Sequence, residues 1–290
     1  MIAFCFLIID DLPHRKVWEA YLKDSPHKVY VHSKFKNPKN LPSKAILTQS
    51  SGVLQPEHGD IRCVMALLEL LREGLKGNAS HFIFLSESCV PISPLKEVER
   101  GLNKARSKSI VGVTHHHPQS EHGHRRTFVD GLEIPKEAWI FHPTWIILCR
   151  EHVRAIVESK DLHQWLRAFR KVPFVDEHFL GTFLLHLLGS QEFHDQVIVD
   201  KKTFVNWKEY ERIDGKNRPK TYRKWDPTLV RDLRNQNYWF GRKFKCKVDI
   251  EGVKSSKRLP LWGIFTIIFG CIGLLILIIV FLKKKSKVTK

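Results

Sequence analysis

The chain has 290 residues, of which 43% are hydrophobic and 11% aromatic. That is enough apolar material for a full core, which excludes a disordered or collagen-like polymer. A formal net charge of +18 favours anionic partners, and nucleic acid, anionic lipid headgroups and phosphorylated small molecules all qualify.

Ile2 to Ile9 is apolar, too short to span a bilayer, and runs into Asp10 and Asp11, so it reads as a buried strand. Helical spacing of Val17, Tyr21 and Leu22 within Arg15–Leu22, followed by the β-branched run His27–His32, completes a β-α-β opening. Ile61 to Leu75 places Ile61, Val64, Leu67, Leu68, Leu71 and Leu75 on one helical face, and His81–Leu85 is a second buried strand ending at Ser86. Ser109–Val113 and Trp145–Cys149 read as further strands, and Glu151–Ser159 and Phe179–Leu188 as helices. Strands alternating with helices predict an α/β fold with a mostly parallel sheet covered on both faces. In such sheets ligands lie beyond the carboxyl ends of the strands, here Asp10, Asp11, His32, Ser33, Ser86, Glu87 and Ser88.

Residues 259–282 carry no charged residue and are long enough to cross a hydrocarbon core of about 30 Å as a helix. Lys257, Arg258, Lys283, Lys284 and Lys285 bracket them. The expected organisation is a domain over 1–250, a basic juxtamembrane segment over 251–258, one transmembrane helix over 259–282 and a basic tail over 283–290. With that anchor at the C-terminal end, the domain is expected on the cytosolic side of a membrane. Cys5, Cys63, Cys89, Cys149 and Cys246 are widely spaced and form no Cys-x-x-Cys, in keeping with a reducing compartment.

Several strand ends carry motifs. Val29-Tyr30-Val31-His32, His58-Gly59-Asp60-Ile61, and Phe82 through Leu85 followed by Ser86-Glu87-Ser88-Cys89-Val90-Pro91 come in that order. Val175-Asp176-Glu177-His178-Phe179, Phe204-Val205-Asn206-Trp207 and Phe240-Gly241-Arg242-Lys243-Phe244 follow. In order and spacing the set resembles the core-2/I-branching family of glycosyltransferases, which also holds protein xylosyltransferases. The resemblance implies a GT-A-like nucleotide-sugar fold, a UDP-sugar donor, transfer with inversion, and no metal cofactor.

Inverting transfer needs a base to deprotonate the acceptor hydroxyl and positive charge to stabilise the departing diphosphate. The resemblance assigns the base to Glu177; read by themselves, Asp176 and Glu177 are equally acids favoured by a helix N-terminus. No Asp-x-Asp occurs in the chain, and the end of the His81–Leu85 strand carries Ser86-Glu87-Ser88 with one acid only. By resemblance Arg218 and Lys243 form the leaving-group clamp, with Arg223 the alternative to Arg218. His32, Ser86 and Glu87 are expected on the donor side. Trp207 resembles a tryptophan that stacks on the acceptor sugar, although Glu209 stands where the family often has tyrosine and Tyr210 follows it.

His115, His116, His117, His122 and His124 crowd one loop with Pro118, Ser120 and Gly123, and they read as a solvated or acceptor-facing loop rather than a metal site. The expected partners are a UDP-sugar, a glycan, glycoprotein or lipid-linked acceptor, and a membrane. Nucleic acid is not expected, because no recognised binding motif accompanies the charge. The alternative from another class is a non-catalytic, membrane-tethered basic protein that binds a nucleotide, a glycan or an anionic surface.

Overall fold

The N-terminal apolar run forms strand β1 (Ile2–Ile8), and both of its faces are buried. The computed structural model describes residues 1–113, 128–129, 131–213 and 215–255. After β1 come α1 (Arg15–Tyr21), β2 (Lys28–Ser33), β3 (Ala45–Leu47) and α2 (Ile61–Leu75). Next are β4 (His81–Ser86), β5 (Val90–Pro91), α3 (Leu95–Ala105) and β6 (Ser109–Val111). A short pair, β7 (Phe128–Val129) and β8 (Leu132–Glu133), precedes β9 (Ile147–Cys149), α4 (Arg150–Glu158) and α5 (Leu162–Ala168). Then follow α6 (Phe179–Leu188), α7 (Ser190–Gln196), β10 (Val197–Val199), β11 (Thr203–Val205) and the hairpin strands β12 (Glu211–Ile213) and β13 (Lys216–Arg218). The last elements are α8 (Pro227–Asn235), β14 (Phe240–Arg242) and α9 (Ile250–Ser255).

The main sheet has seven strands in the order β3-β2-β1-β4-β9-β6-β10. Its pairs are parallel except those of β9, which runs antiparallel to both β4 and β6. The expected α/β class and mostly parallel sheet are therefore present, while the reversed β9 is a feature that alternation of elements does not reveal.

Side-chain alternation along the central strands separates two cores. Ala3 and Cys5 of β1, with Phe82 and Phe84 of β4, face the core that contains the inner face of α2, Val64, Leu67, Leu68 and Leu71. Ile2, Phe4, Phe6 and Ile8, with Ile83 and Leu85, face the opposite core, which holds Trp18 of α1 and Phe240 of β14. On β1 the small Ala3 and Cys5 face α2 while Phe4 and Phe6 face away, and the helix packs closely on its side: a Cβ on Gly74 of α2 would stand 2.6 Å from the Phe82 ring. Each fully buried Phe or Leu in these layers contributes roughly 1.5–3 kcal/mol of transfer free energy. Helix α2 starts where Asp60 caps it, its carboxylate accepting from the Arg62 amide at 2.8 Å.

A second, three-stranded sheet, β11-β14-β5, lies over the β4 exit. Strand β14 runs parallel to β11 and antiparallel to β5, with Gly241 opposite Val90. The buried Arg234 guanidinium of α8 donates twice to the Ile92 carbonyl, at 2.9 and 2.6 Å, fixing α8 against this sheet. The Phe240 ring packs edge-on to Phe4 and lies 6.0 Å from Trp18. Residues Met1–Lys254 form one unit, in which Val253 of α9 is fully buried. Among the described residues no helix is long and apolar enough to cross a membrane; the apolar run 259–282 and the basic tail 283–290 lie outside them.

Gly241 is where this second sheet is tightest, since a Cβ there would come within 2.6 Å of Ile92 Cδ1 and 3.0 Å of Phe244. Gly241→Ala is expected to lower stability by about 1–3 kcal/mol, read as a fall in the urea midpoint without a change in slope.

Candidate active site

Because β1, β2 and β4 pair in parallel and in register, their carboxyl ends stand side by side. The segments leaving them are tied together: Ser33 Oγ donates to the Ile9 carbonyl at 3.1 Å and the Lys34 amide to Ile8 at 3.0 Å. His32 is completely buried here, its Nδ1 2.8 Å from Thr48 Oγ1, and burial pushes its pKa down to about 4. Ser86 is also buried, with its hydroxyl 3.2 Å from that of Ser88 and 3.3 Å from Cys89 Sγ. His32 and Ser86 thus brace the strand ends from behind. Glu87, in the loop that follows, is partly exposed.

Glu177 lies in a single 3-10 turn, Val175–Glu177, immediately before α6. Its amide donates to the Phe174 carbonyl at 2.9 Å, and its own carbonyl accepts from the His142 amide at 2.9 Å. Phe174 enters the turn in the left-handed region, φ 51°. It packs against His58-Gly59: the His58 and Phe174 rings meet edge to face at 5.8 Å, and a Cβ on Gly59, whose own φ is +81°, would stand 3.1 Å from the Phe174 ring. Beside Glu177, Asp176 is largely buried; its carboxylate accepts from Thr144 Oγ1 at 2.9 Å, and desolvation raises its pKa. Buried His142 sits under the turn, its Nδ1 donating to the Pro143 carbonyl at 2.9 Å while Nε2 accepts the Gly181 amide of α6 at 3.1 Å. Burial lowers its pKa to about 4.

The cations come from the second sheet and the hairpin. The antiparallel β5–β14 pairing and a Phe244 amide to Ser88 carbonyl bond of 3.1 Å bring Arg242 and Lys243 alongside the Glu87 loop. Burial first, then the charges of Arg242 and Arg218, holds the Lys243 ammonium below its ordinary range, with Glu87 opposing. Arg218 at the end of β13 is therefore within electrostatic reach of Lys243. Arg223, the alternative to it, is engaged with Glu211 at 2.8 Å on the exposed face of the hairpin. Arg242 and Arg218 both act on Lys243, with Glu87 among the nearby acids, and such a group of cations suits an added polyanion.

Trp207 follows β11 and is 56% exposed. A turn holds it: Asn206 Oδ1 accepts the amides of Lys208 and Glu209 at 3.0 and 3.2 Å, and Asn206 Nδ2 donates to the Tyr222 hydroxyl at 2.9 Å. Tyr222 donates its amide to the Lys243 carbonyl at 2.8 Å, so the exposed indole and the lysine are anchored on one segment. Glu209 pairs with Lys220, and Tyr210 is 56% exposed.

The structure thus brings Glu87, Glu177, Arg218 and Lys243 to the strand ends with Trp207 on an adjoining turn, and it places His32 and Ser86 behind them. Sequence reasoning missed Arg242, which carries an electrostatic link to Glu87, Glu177 and Asp176. It also missed Trp145, whose ring lies 4.3 Å from the Arg242 guanidinium carbon. Arg242 lies inside the Phe240–Phe244 motif; nothing local marks Trp145. Among the described residues no three His, Cys, Asp or Glu side chains converge on a point that could hold a metal ion; the histidines at 115–124 lie outside them.

An open α/β sheet with a backbone-clamped carboxylate and a group of cations at its strand ends has the layout of an enzyme that transfers a group from a phosphorylated donor. The match to known families is consistent with that layout. Residues 2–236 match the model of the core-2/I-branching enzyme family, and the chain belongs to that family of glycosyltransferases. No curated protein matches it by sequence. Among solved structures, a galactosyltransferase, LgtC, in complex with donor and acceptor sugar analogues, overlays 88% of this chain and 97% of its own at 9% identity and TM-score 0.40. Mannose-1-phosphate geranyltransferase from Thermus thermophilus overlays 68% of this chain and 73% of its own at 12% identity and TM-score 0.29.

Buried His32 and His142 make stability depend on pH. A histidine at about 4 in the folded protein, against 6.5 when exposed, takes up its proton in the unfolded chain first, so its effect is absent above pH 6.5 and grows as pH falls toward 4. Unfolding free energy is expected to fall over that window by up to ~3 kcal/mol per histidine. Urea titrations at intervals from pH 7 to 4 measure it, and His142→Gln, which does not titrate, is expected to make the fall shallower.

Proposed function

We propose that the protein transfers a sugar such as GlcNAc or xylose from a UDP-sugar to a hydroxyl of a glycan, glycoprotein or lipid-linked acceptor, with inversion and without a metal ion. The observation that carries this reading is the convergence of the clamped Glu177 with Lys243, Arg218 and Glu87 at the strand ends. Glu177 takes the proton of the acceptor hydroxyl as its oxygen attacks the anomeric carbon. The bond from that carbon to the diphosphate oxygen breaks on the opposite side, and UDP departs with the bonding pair. Lys243 and Arg218 meet the charge that develops on it, which is the role a divalent ion plays on an Asp-x-Asp motif, a motif this sequence lacks. Glu87 orients the donor, with His32 and Ser86 holding the strand ends that support it. Exposed Trp207 offers an aromatic plate for the apolar face of the acceptor ring. The apolar run 259–282 is long enough to tether the domain to a membrane, and the acceptor is then one found at that surface.

The test is UDP release from UDP-GlcNAc, UDP-xylose and UDP-glucuronic acid with EDTA present. Turnover is expected to persist in EDTA, to fall about 10²–10⁴-fold in Glu177→Gln, and to fall about 10²–10³-fold in Lys243→Ala. Complete loss in EDTA overturns the metal-free mechanism, and full activity of Glu177→Gln removes the assigned base. UDP binding without turnover from any donor points instead to the non-catalytic binding protein.

A further inference from the structure

One stretch of chain, His142 to Trp145, grips three neighbouring parts of the site. The His142 amide donates to the Glu177 carbonyl at 2.9 Å. The Thr144 hydroxyl donates to the Asp176 carboxylate at 2.9 Å. The Trp145 ring lies 4.3 Å from the guanidinium carbon of Arg242, which comes from a different sheet and is held in register opposite Val205.

Arg242 is an unusual resident for that place. The residue is half-buried, and its Nε is shielded from water with no hydrogen-bond partner. Taking a guanidinium out of water costs several kcal/mol unless opposite charge and a polarisable face compensate it. Trp145 supplies the face. Glu87 from the loop after β4, and Asp176 and Glu177 from the turn before α6, supply the charge.

Like charges face it as well. Lys243 is adjacent in sequence, and Arg218 of the hairpin and Lys245 act on that lysine. The Cys89 thiol is buried beside Arg242, and its pKa is raised. His58 faces Asp176 from the loop ahead of α2. His178, next to Glu177, is committed elsewhere, with its Nδ1 3.0 Å from the Ile140 carbonyl.

We propose that Arg242, braced on the Trp145 ring, is a positioning residue that keeps Glu177 ionised and aimed at the acceptor hydroxyl, and that it acts on the base rather than as a ligand of the departing diphosphate. The inference rests on Glu177 being the base, as proposed above. Lys243, partly exposed and repelled by its cationic neighbours, is left to meet the diphosphate. Asp176 is committed to the Thr144 hydroxyl and desolvation raises its pKa, which leaves Glu177 as the acid of this turn that Arg242 serves as counter-ion.

The experiment compares Arg242→Gln, Arg242→Lys, Trp145→Leu and Trp145→Phe with the unmodified full chain and with Glu177→Gln, using the UDP-sugar that gives the highest transfer rate. The readouts are kcat, KM for the donor, UDP affinity by calorimetry, and the pH dependence of kcat/KM, with circular dichroism and thermal midpoints to confirm folding. Arg242→Gln is expected to move the acidic limb of the profile upward by about one pH unit and to lower kcat about 10–100-fold, with UDP affinity within about threefold of the unmodified protein. Arg242→Lys keeps the charge and is expected to return the limb most of the way. Trp145→Phe, which keeps a ring face, is expected to be milder than Trp145→Leu in the same direction.

An unmoved acidic limb in Arg242→Gln overturns the proposal, as does a fall in UDP affinity of tenfold or more with the limb in place, which would make Arg242 a donor ligand. If Arg242→Gln does not fold, unchanged kcat and pH profiles in both Arg242→Lys and Trp145→Leu overturn it equally. Full activity of Glu177→Gln, or no transfer by the unmodified protein, removes the reading of the base and this role with it. An inactive Glu177→Gln beside unaltered Arg242 and Trp145 variants removes the role of Arg242 alone.

Discussion

Strand β1 has no solvent-facing side, and much else follows from that. Ala3 and Cys5 must accept the close approach of α2, and Phe4 and Phe6 must fill the wider space beneath Trp18 and Phe240. A slip of one residue in register would exchange the small and large faces and drive phenylalanine rings into a helix already tight enough that Gly74 has no room for a methyl group. With register fixed in this way, β2 and β4 on either side of β1 end at a common level. The residues that leave those ends are thereby presented as a group.

The site is completed from elsewhere in the chain. Two small devices deliver its charged parts. One is the short antiparallel pairing of β5 with β14, which lays the Arg242–Lys243 segment against the Glu87 loop. The other is the turn before α6, whose backbone is held from both ends by Phe174 and His142. Each uses main-chain hydrogen bonds and packed rings rather than exposed ion pairs, which contribute little when solvated. The result is a carboxylate and several cations fixed on separate supports that meet beyond the strand ends.

The fold was legible in sequence where a pattern was dense. The β1 run, the β-branched β2, the amphipathic α2, the apolar β4 and helix α6 all stand out by period or composition, and each appears within a residue or two of its expected limits. Strands of two or three residues such as β5, β11 and β14 leave no such trace, because their pairing is decided by distant partners. The reversed direction of β9 is equally silent, since a buried strand reads the same both ways. In the site, Glu177, Lys243 and Trp207 were reachable through ordered motifs. That His32 and Ser86 are wholly shielded was not, because exposure at a strand end depends on what the following loops cover. The contact of Arg242 with Trp145 joins two sheets and has no local signature at all.

The β12–β13 hairpin carries Arg218 toward Lys243, yet its own attachments differ in kind from those of its partner. Lys243 follows a strand stitched between β5 and β11, whereas the hairpin is tied to its surroundings by exposed pairs, Arg223 with Glu211 and Lys220 with Glu209. One of these cations is therefore carried by a strand inside a sheet and the other by a two-stranded surface ribbon, so residues added to or removed from the hairpin would alter reach and grip on that side while leaving the sheet untouched. What such a protein grips on that side can be retuned by changing a surface ribbon, at little cost to the foundation that holds the turn before α6 in place.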